Sequence, residues 1–113
     1  MRRNKKLLII DDEMDACLLM ARLFRSKFKC IDCANSLAEA FEKANMVPPD
    51  VILLDNNLPD GYGIEHINDF RNLRSDHILE VVMISAIDIR AEALTAGADY
   101  FICKPILAKD LPW

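Results

Sequence analysis

The hydrophobic positions of the chain follow two patterns, which are short apolar runs and longer stretches with a helical period. An unbroken apolar run bounded by polar or turn residues is typical of a strand buried on both faces of a parallel sheet. Apolar residues that recur at spacings of three and four indicate an amphipathic helix. The predicted strands are residues 7–10, 29–34, 51–54, 81–84 and 100–103. The two patterns alternate along the whole chain.

Four helices are predicted between these strands. The apolar face of the first is predicted to comprise Met14, Cys17, Leu18, Ala21, Phe24 and Phe28. Ser36 and Glu39 have the spacing of a capping box, so a second helix begins there and Pro48 ends it. The third and fourth helices are predicted from apolar residues at helical spacing, which are Ile64, Ile67, Phe70 and Leu73, then Ile89, Ala93 and Ala96.

Strands that alternate with helices predict βαβ units, and hence a parallel sheet with helices on both faces. The predicted fold class is α/β, a flavodoxin-like doubly wound sheet of five strands in the order 2-1-3-4-5. The length of 113 residues suits one domain over residues 1–113. In such sheets, ligands bind outside the carboxyl ends of the strands, where the strand order reverses.

Composition and charge narrow the classes of function. The net charge is −4, and the basic residues Arg2, Arg3, Lys5 and Lys6 are the only basic run, so direct nucleic-acid binding is not expected. No apolar run reaches the roughly 20 residues that a membrane span needs. The first apolar run is broken by Asp11, Asp12 and Glu13, unlike a signal peptide, so a cytoplasmic protein is expected.

Four cysteines raise the question of metal or redox chemistry, because Cys30 and Cys33 have CxxC spacing. Both lie in a predicted strand, where residues three apart point to opposite faces. A zinc site would also need partner ligands, and the sequence has no second CxxC or His pair. We therefore favour an interpretation of these cysteines as small hydrophobic residues over a zinc or redox motif.

Polar residues stand at the ends of four predicted strands. Asp11 and Asp12 follow the first strand, Asp55 the third, Ser85 the fourth and Lys104 the fifth. Three carboxylates in one place repel one another unless a proton or a cation joins them. Hard oxygen ligands favour Mg²⁺, and a carboxylate beside Mg²⁺ and a lysine is a plausible phosphoryl acceptor.

These residues resemble the receiver domain of two-component response regulators over nearly the whole chain. The matching motifs are Asp11-Asp12-Glu13, Pro49-Asp50, Asp55 with Leu58-Pro59, Gly63-Ile64-Glu65, Ser85-Ala86, Ala96-Gly97-Ala98-Asp99 and Lys104-Pro105. Each motif is weak alone, but the ordered set is specific. The resemblance implies a signalling domain that phosphorylates and dephosphorylates itself and is not a turnover enzyme.

The resemblance also implies a role for each site residue. Asp55 is the expected phosphoacceptor, and Asp12, Asp55 and the backbone carbonyl of Asn57 are the expected Mg²⁺ ligands, with Asp11 acting through water. Ser85 and Lys104 are the expected switch pair, and Phe101 is the expected aromatic switch. The expected donor is a phosphohistidine on a sensor histidine kinase or a histidine phosphotransfer protein.

Two features depart from the pattern of the family. The segment between Ser85 and Lys104 is about one helical turn short, which predicts a short fourth helix. The sequence ends at Leu111-Pro112-Trp113, which predicts a truncated or absent fifth helix. Its loss should expose an apolar face of the sheet, and we therefore expect a homodimer or a swapped oligomer.

Alternatives remain open for each residue and for the whole domain. Asp55 and Ser85 are also turn formers, the acids after the first strand also suit a helix N-terminus, a lysine at a strand end is usually solvated, and Phe101 is equally well a core or rim aromatic. The domain-level alternative is a receiver-like protein-binding module that is not phosphorylated. An aspartyl phosphatase or phosphotransferase is less favoured, because Asn57 stands where an acid is expected and no lid domain fits.

Overall fold

A computed structural model describes residues 4–73, 78–110 and 112 of the chain. Its central sheet consists of five parallel strands, which are β1 (Lys6–Ile10), β2 (Cys30–Ala34), β3 (Val51–Asp55), β4 (Glu80–Ser85) and β5 (Tyr100–Cys103). Their order in the sheet is β2-β1-β3-β4-β5, and every pairing is parallel. The predicted flavodoxin-like fold is therefore confirmed, with its switch in strand order between β1 and β3.

Helices cover both faces of this sheet. They are α1 (Met14–Phe24), α2 (Leu37–Met46), α3 (Ile67–Arg71) and α4 (Arg90–Thr95). Buried residues of α1 pack in one apolar cluster, and those of α2, α3 and α4 pack in a second cluster on the opposite face. The predicted short fourth helix is confirmed, because α4 has six residues and Gly97 follows it with a φ of +112°.

The core is built from alternate residues of the buried strands. All five residues of β3 are buried, as an apolar run inside a covered parallel sheet predicts. Leu53 and Val51 pack toward α1, whereas Ile52 and Leu54 pack toward the other helices. Successive side chains of a strand point to opposite faces, so an unbroken apolar run supplies both clusters at once.

The structure corrects the predicted face of α1. Cys17, Met20 and Phe24 are its buried residues, whereas Met14 and Leu18 are about half exposed, at 53% and 52%. Met20 was not part of the predicted face. Apolar residues occur nearly all round this helix, so the helical period alone does not locate the side that meets the sheet.

The expected exposure of an apolar sheet face is also wrong. Val82, Ile84 and Ile102, which face α1, are all buried. Exposed apolar side chains near this face include Leu19 of α1, at 66% exposure, and Tyr100 of β5, at 41%. Tyr100 precedes Phe101 in the strand, so it lies on the same side of the sheet as Ile102. Among the described residues after β5, the regular structure is a single 3₁₀ turn (Ala108–Asp110), in agreement with the prediction of a truncated or absent fifth helix.

The predicted start of α2 is confirmed in detail. The Glu39 backbone N–H donates to Ser36 Oγ at 3.1 Å, which is the first half of the capping box. The Glu39 carboxylate accepts from the backbone N–H of Asn35, one residue before the cap. The third helix differs from its prediction, because Ile64 lies in a 3₁₀ turn (Gly63–Glu65) before α3 begins. Ile67 and Phe70 are the buried residues of α3, and Leu73 lies two residues beyond its end.

Gly63 allows the chain to turn closely beneath the end of β3, and its replacement provides a test. A Cβ atom at this position would lie 2.3 Å from the backbone oxygen of Asp55 and 2.9 Å from Leu54 Cγ. We expect Gly63→Ala to lower the free energy of unfolding by about 1–3 kcal/mol, the usual cost of overpacking. Urea denaturation measures this loss. Tyr62→Ala, at an exposed neighbouring position, should change stability much less, and equal stability of Gly63→Ala and parent would contradict the close approach.

Candidate functional site

The carboxyl edge of the sheet brings three acidic side chains together. Ile10 of β1 pairs with Leu54 of β3, so the next residues, Asp11 and Asp55, emerge side by side. Both are buried, whereas Asp12 is exposed. One carboxylate oxygen from each of Asp11, Asp12 and Asp55 lies within 4.8 Å of the others. The predicted convergence of these residues is therefore present in the structure.

Lys104 places a positive charge between the two buried carboxylates. Its Nζ donates to Asp11 Oδ2 at 2.7 Å and to Asp55 Oδ2 at 3.1 Å. The backbone N–H of Lys104 donates to the carbonyl oxygen of Ser85 at 2.8 Å, which ties the end of β5 to β4. The peptide bond between Lys104 and Pro105 is cis. The ammonium group thus offsets the repulsion between Asp11 and Asp55.

Burial and charge set the protonation of these groups in opposite ways. Burial raises the pKa of Asp55, and the Lys104 charge and an N–H from Asn57 only partly offset this effect. Burial alone would lower the pKa of Lys104, but its hydrogen bond to Asp11 and the charge of Asp55 outweigh it, so the pKa is raised. Lys104 therefore stays protonated, whereas an ionised Asp55 is held at some cost.

Two asparagines, neither of which was predicted to shape the site, hold the backbone around it. Asn35 Nδ2 donates to the carbonyl oxygen of Asp11 at 2.9 Å. Asn56 Oδ1 accepts from the backbone N–H of Ile64 at 3.0 Å. The backbone N–H of Asn56 donates to the carbonyl oxygen of Ile84 at 3.1 Å. Asparagine commonly forms such local backbone bonds in turns, and this tendency is the sequence signal that could have identified both.

Asp60 is a third residue that sequence reasoning missed. It lies in a small hairpin in which Asn57–Leu58 pairs with Gly61–Tyr62. Its two carboxylate oxygens accept from the backbone N–H groups of Leu37 and Ala38 at 2.8 and 2.9 Å, and these bonds lower its pKa. An Asp-Gly pair is a hairpin signal, so Asp60-Gly61 was recognisable as a turn. Its contact with α2 was not, because it joins residues far apart in sequence.

The remaining predicted residues surround this cluster. Ser85 is buried at the end of β4, and its Oγ accepts from the backbone N–H of Ile87 at 3.2 Å. Asn57 is exposed in the hairpin. Phe101 is buried in the core, and the Arg90 guanidinium lies 5.4 Å from its ring centroid. Phe101 thus lies on the strand that leads to Lys104, and Ser85 lies at the end of the neighbouring strand.

The donor set suits a hard divalent cation. Asp11, Asp12 and Asp55 supply carboxylate oxygens within reach of one another, and a backbone carbonyl of the adjacent hairpin is nearby in sequence. Oxygen ligands of this kind favour Mg²⁺ over thiophilic metals.

Cys30 and Cys33 lie outside this acidic cluster. Cys33 packs against the apolar cluster under α1, and Cys30 is exposed at the opposite end of β2 from the acidic site. Among the described helices, none has both the length and the apolar character to cross a membrane.

The chain is similar in sequence to curated regulatory proteins. The acid tolerance regulatory protein ActR of Rhizobium meliloti (strain 1021) is 30% identical over 109 residues, covering 96% of this chain and 56% of ActR. The transcriptional regulatory protein PrrA of Mycobacterium leprae (strain TN) is 31% identical over 111 residues, covering 96% of this chain and 47% of PrrA. The chain thus spans about half the length of the curated relatives it matches.

Solved structures share both fold and length. A CheY-like receiver domain from Methylobacillus flagellatus has a TM-score of 0.86 and 25% identity, covering 96% of this chain and 92% of that one. The CheX–CheY–BeF₃–Mg²⁺ complex from Borrelia burgdorferi has a TM-score of 0.79 and 29% identity, covering 93% and 81% of the two chains. The family model described as "Response regulator receiver domain" matches residues 7–112. The chain belongs to the family of response regulator receiver domains of two-component signalling systems.

Proposed function

We propose that this receiver domain takes a phosphoryl group from a phosphohistidine onto Asp55 in a Mg²⁺-dependent reaction, and that the modification switches its conformation. The observation that carries the proposal is the position of Lys104, whose ammonium contacts Asp11 and Asp55 at 2.7 and 3.1 Å. A buried carboxylate beside a fixed cation, at the open edge of a parallel sheet, suits the acceptance of an anionic group.

The proposed transfer uses the carboxylate of Asp55 as the nucleophile. A carboxylate oxygen attacks the phosphorus atom, the new P–O bond forms, and the P–N bond to the donor imidazole breaks with its electron pair returning to nitrogen. The Asn57 N–H that hydrogen-bonds the carboxylate helps to orient it. Lys104 is already placed to pair with an oxygen of the incoming group, so little rearrangement of charge is needed.

We assign the Mg²⁺ ligands to Asp12, Asp55 and the backbone carbonyl of Asn57, with Asp11 acting through water. The support is the grouping of the three carboxylates within 4.8 Å. Bound Mg²⁺ would supply charge neutralisation to the phosphoryl oxygens. Asn35 and Asn56, which hold the backbone at Asp11 and after Asp55, keep these ligands in place.

The proposed switch involves Ser85, Lys104 and Phe101. Phosphorylation adds roughly 1.5 to 2 negative charges at Asp55. The Ser85 hydroxyl, which now accepts from Ile87, would turn to donate to a phosphoryl oxygen. This movement would pull the loop that leads into α4, where Arg90 covers the ring of Phe101. Two states that differ in these contacts provide the energy difference that a population shift requires.

The second candidate is a receiver-like binding module that is not phosphorylated. One observation favours it: α4 has only six residues, so the element proposed to move has little surface with which to signal. Mg²⁺ binding separates the two candidates. Mg²⁺-dependent stabilisation that disappears in Asp12→Ala would support the phosphoacceptor and weigh against the silent module.

We propose a sensor histidine kinase or a histidine phosphotransfer protein as the partner and the cytoplasm as the location. The names of ActR and PrrA describe regulatory proteins, and CheY of Borrelia burgdorferi was solved bound to CheX with BeF₃ and Mg²⁺. These relatives are longer than this chain, which covers 56% of ActR and 47% of PrrA. No nucleic-acid contact is proposed for this domain.

Self-association remains a prediction, now centred on α1. Leu18 and Leu19 are 52% and 66% exposed on this helix. We expect light scattering at high protein concentration to report a homodimer or a swapped oligomer, and Leu19→Glu to shift the mass toward the monomer. A monomeric mass for the parent protein at high concentration would contradict this prediction.

The acceptor chemistry is tested by intact mass. We expect a gain of one phosphoryl group after incubation with Mg²⁺ and acetyl phosphate, and no gain without Mg²⁺ or in Asp55→Asn. Asp15→Asn, at an exposed position on α1, is the matched control and should gain the group like the parent. No gain in a parent protein that is folded by circular dichroism would refute the proposal in favour of the silent module.

The burial of charge at Asp55 predicts a pH-dependent gain in stability for Asp55→Asn. The folded-state pKa of Asp55 is raised above 3.8, so the folded protein holds this proton more strongly than the unfolded chain does. The stabilisation that comes from protonated Asp55 is therefore fully present below pH 3.8, and it is lost as the pH rises through the pKa of Asp55 in the folded protein. In EDTA at pH 7, we expect Asp55→Asn to unfold at higher urea than the parent, with the gain shrinking toward pH 3.8.

Asp15→Asn, which removes an exposed carboxylate, should show no such gain. Equal stability of the parent and Asp55→Asn at every pH would mean that Lys104 fully offsets the burial of the carboxylate, contrary to the raised pKa of Asp55.

A further inference from the structure

Two cysteines that are distant in sequence meet beneath the acidic site. Cys17 lies on α1 and is fully buried, and its Sγ contacts the carbonyl oxygens of Ile9 at 3.8 Å and Asp11 at 3.9 Å. Cys33 lies on β2, directly opposite Ile9 in the pairing of β1 with β2. Cys33 also packs against the apolar cluster that contains Cys17 and Ile9. Both side chains therefore lie on the α1 side of the sheet, next to the same residue.

From this juxtaposition we propose that Cys17 and Cys33 are a site of reversible oxidation, forming a disulfide that joins α1 to β2. Both thiols are free in the structure. A side-chain hydrogen bond from the Cys17 thiol lowers the pKa of Cys33, which is consistent with close approach of the two sulfurs. The proposal does not depend on phosphoryl transfer to Asp55 and goes beyond that function.

The more accessible sulfur starts the proposed reaction. Cys33 is partly exposed, whereas Cys17 is fully buried. With a hydroperoxide as the oxidant, the Cys33 sulfur attacks the O–O bond, becomes a sulfenic acid and releases one water, or one alcohol from an organic peroxide. The Cys17 sulfur then attacks the sulfenic sulfur, the S–S bond forms, and a water leaves. Two thiols are oxidised and one peroxide is reduced, so the step is balanced. A dithiol reductant reverses it.

Cys30 is not the disulfide partner of Cys33, although the two have CxxC spacing. Cys33 packs on the α1 side of β2, whereas Ala34, the next residue, packs in the cluster on the opposite side. Cys30 is three residues before Cys33, so its side chain leaves the strand on the side away from Cys33, and it is exposed. The structure thus pairs Cys33 with a cysteine of α1 and leaves Cys30 as a natural control.

The proposed disulfide would change a contact with the backbone of the acidic site. In the reduced protein the Cys17 thiol contacts the backbone of Asp11, whose carboxylate binds Lys104. Oxidation removes the thiol proton from this contact and ties α1 to β2. The Asn35 bond to the same Asp11 carbonyl remains. The redox state of the pair is therefore linked to the backbone that precedes the acidic cluster.

Peptide mapping of the oxidised protein tests the proposal. The folded chain is treated with hydrogen peroxide, free thiols are blocked, and the protein is digested with trypsin. Cleavage at arginine and lysine separates residues 7–22, which contain Cys17, from residues 30–43, which contain both Cys30 and Cys33. We expect a monomer lighter by about 2 Da before blocking, a cross-link between these two peptides, and loss of the cross-link on treatment with dithiothreitol.

Matched variants show which cysteine of residues 30–43 forms the cross-link to Cys17, and circular dichroism checks that each variant is folded. Cys30→Ser should keep the cross-link, and Cys33→Ser should abolish it while retaining the circular dichroism spectrum of the parent. The oxidised parent should unfold at higher urea than the reduced parent, and Cys33→Ser should show no difference between the two conditions. A bridge confined to residues 30–43, a disulfide between two molecules, or a Cys17 thiol that stays free after peroxide treatment would overturn the proposal.

Discussion

The ammonium of Lys104 holds together two buried carboxylates that would otherwise separate. Two unit charges about 4 Å apart repel by roughly 4 kcal/mol at the effective dielectric constant of a protein surface. Asp11 and Asp55 lie at the ends of neighbouring strands and are both buried, so solvent alone cannot screen their charges. Lys104 contacts both, although it lies 93 and 49 positions away in sequence. The acidic site is therefore complete only when β5 has docked on β4.

Short polar contacts around this charge cluster hold the ligand-bearing loops in place. Asn35 holds the carbonyl of Asp11, Asn56 closes the turn after Asp55, and Asp60 ties the hairpin to the start of α2. Gly63 lets the chain pass close to the Asp55 carbonyl. The Asn35 contact joins two loops, the Asn56 contact joins a loop to a 3₁₀ turn, and the Asp60 contact joins a hairpin to α2. The geometry of the site therefore depends on how the strands and helices that carry these loops pack together.

The two ends of α4 are held in different ways. Beyond its C-terminal end, Arg71 of α3 donates to the carbonyl of Gly97 at 2.6 Å and to Asp99 at 3.0 Å. Asp99 also accepts from the backbone N–H of Val81 in β4. At the N-terminal end, Arg90 rests on the ring of Phe101. Charge-assisted hydrogen bonds such as those of Arg71 are stronger than a cation–π contact made by an exposed arginine, so the end of α4 nearest Ser85 is the less firmly held.

The sequence alone determined the strands, their order and the positions of the acids. The apolar runs of β1, β3 and β4 and the capping box at Ser36 are patterns of residues close together in sequence. Such patterns can be recognised without knowledge of the fold. Only the tertiary structure decided which side of α1 is buried, that Asp60 caps α2, and that Cys33 meets Cys17 rather than Cys30. These contacts depend on strand register and helix docking, which join positions far apart in sequence. Spacing along the chain carries no information about such partners, so their identity comes from the fold.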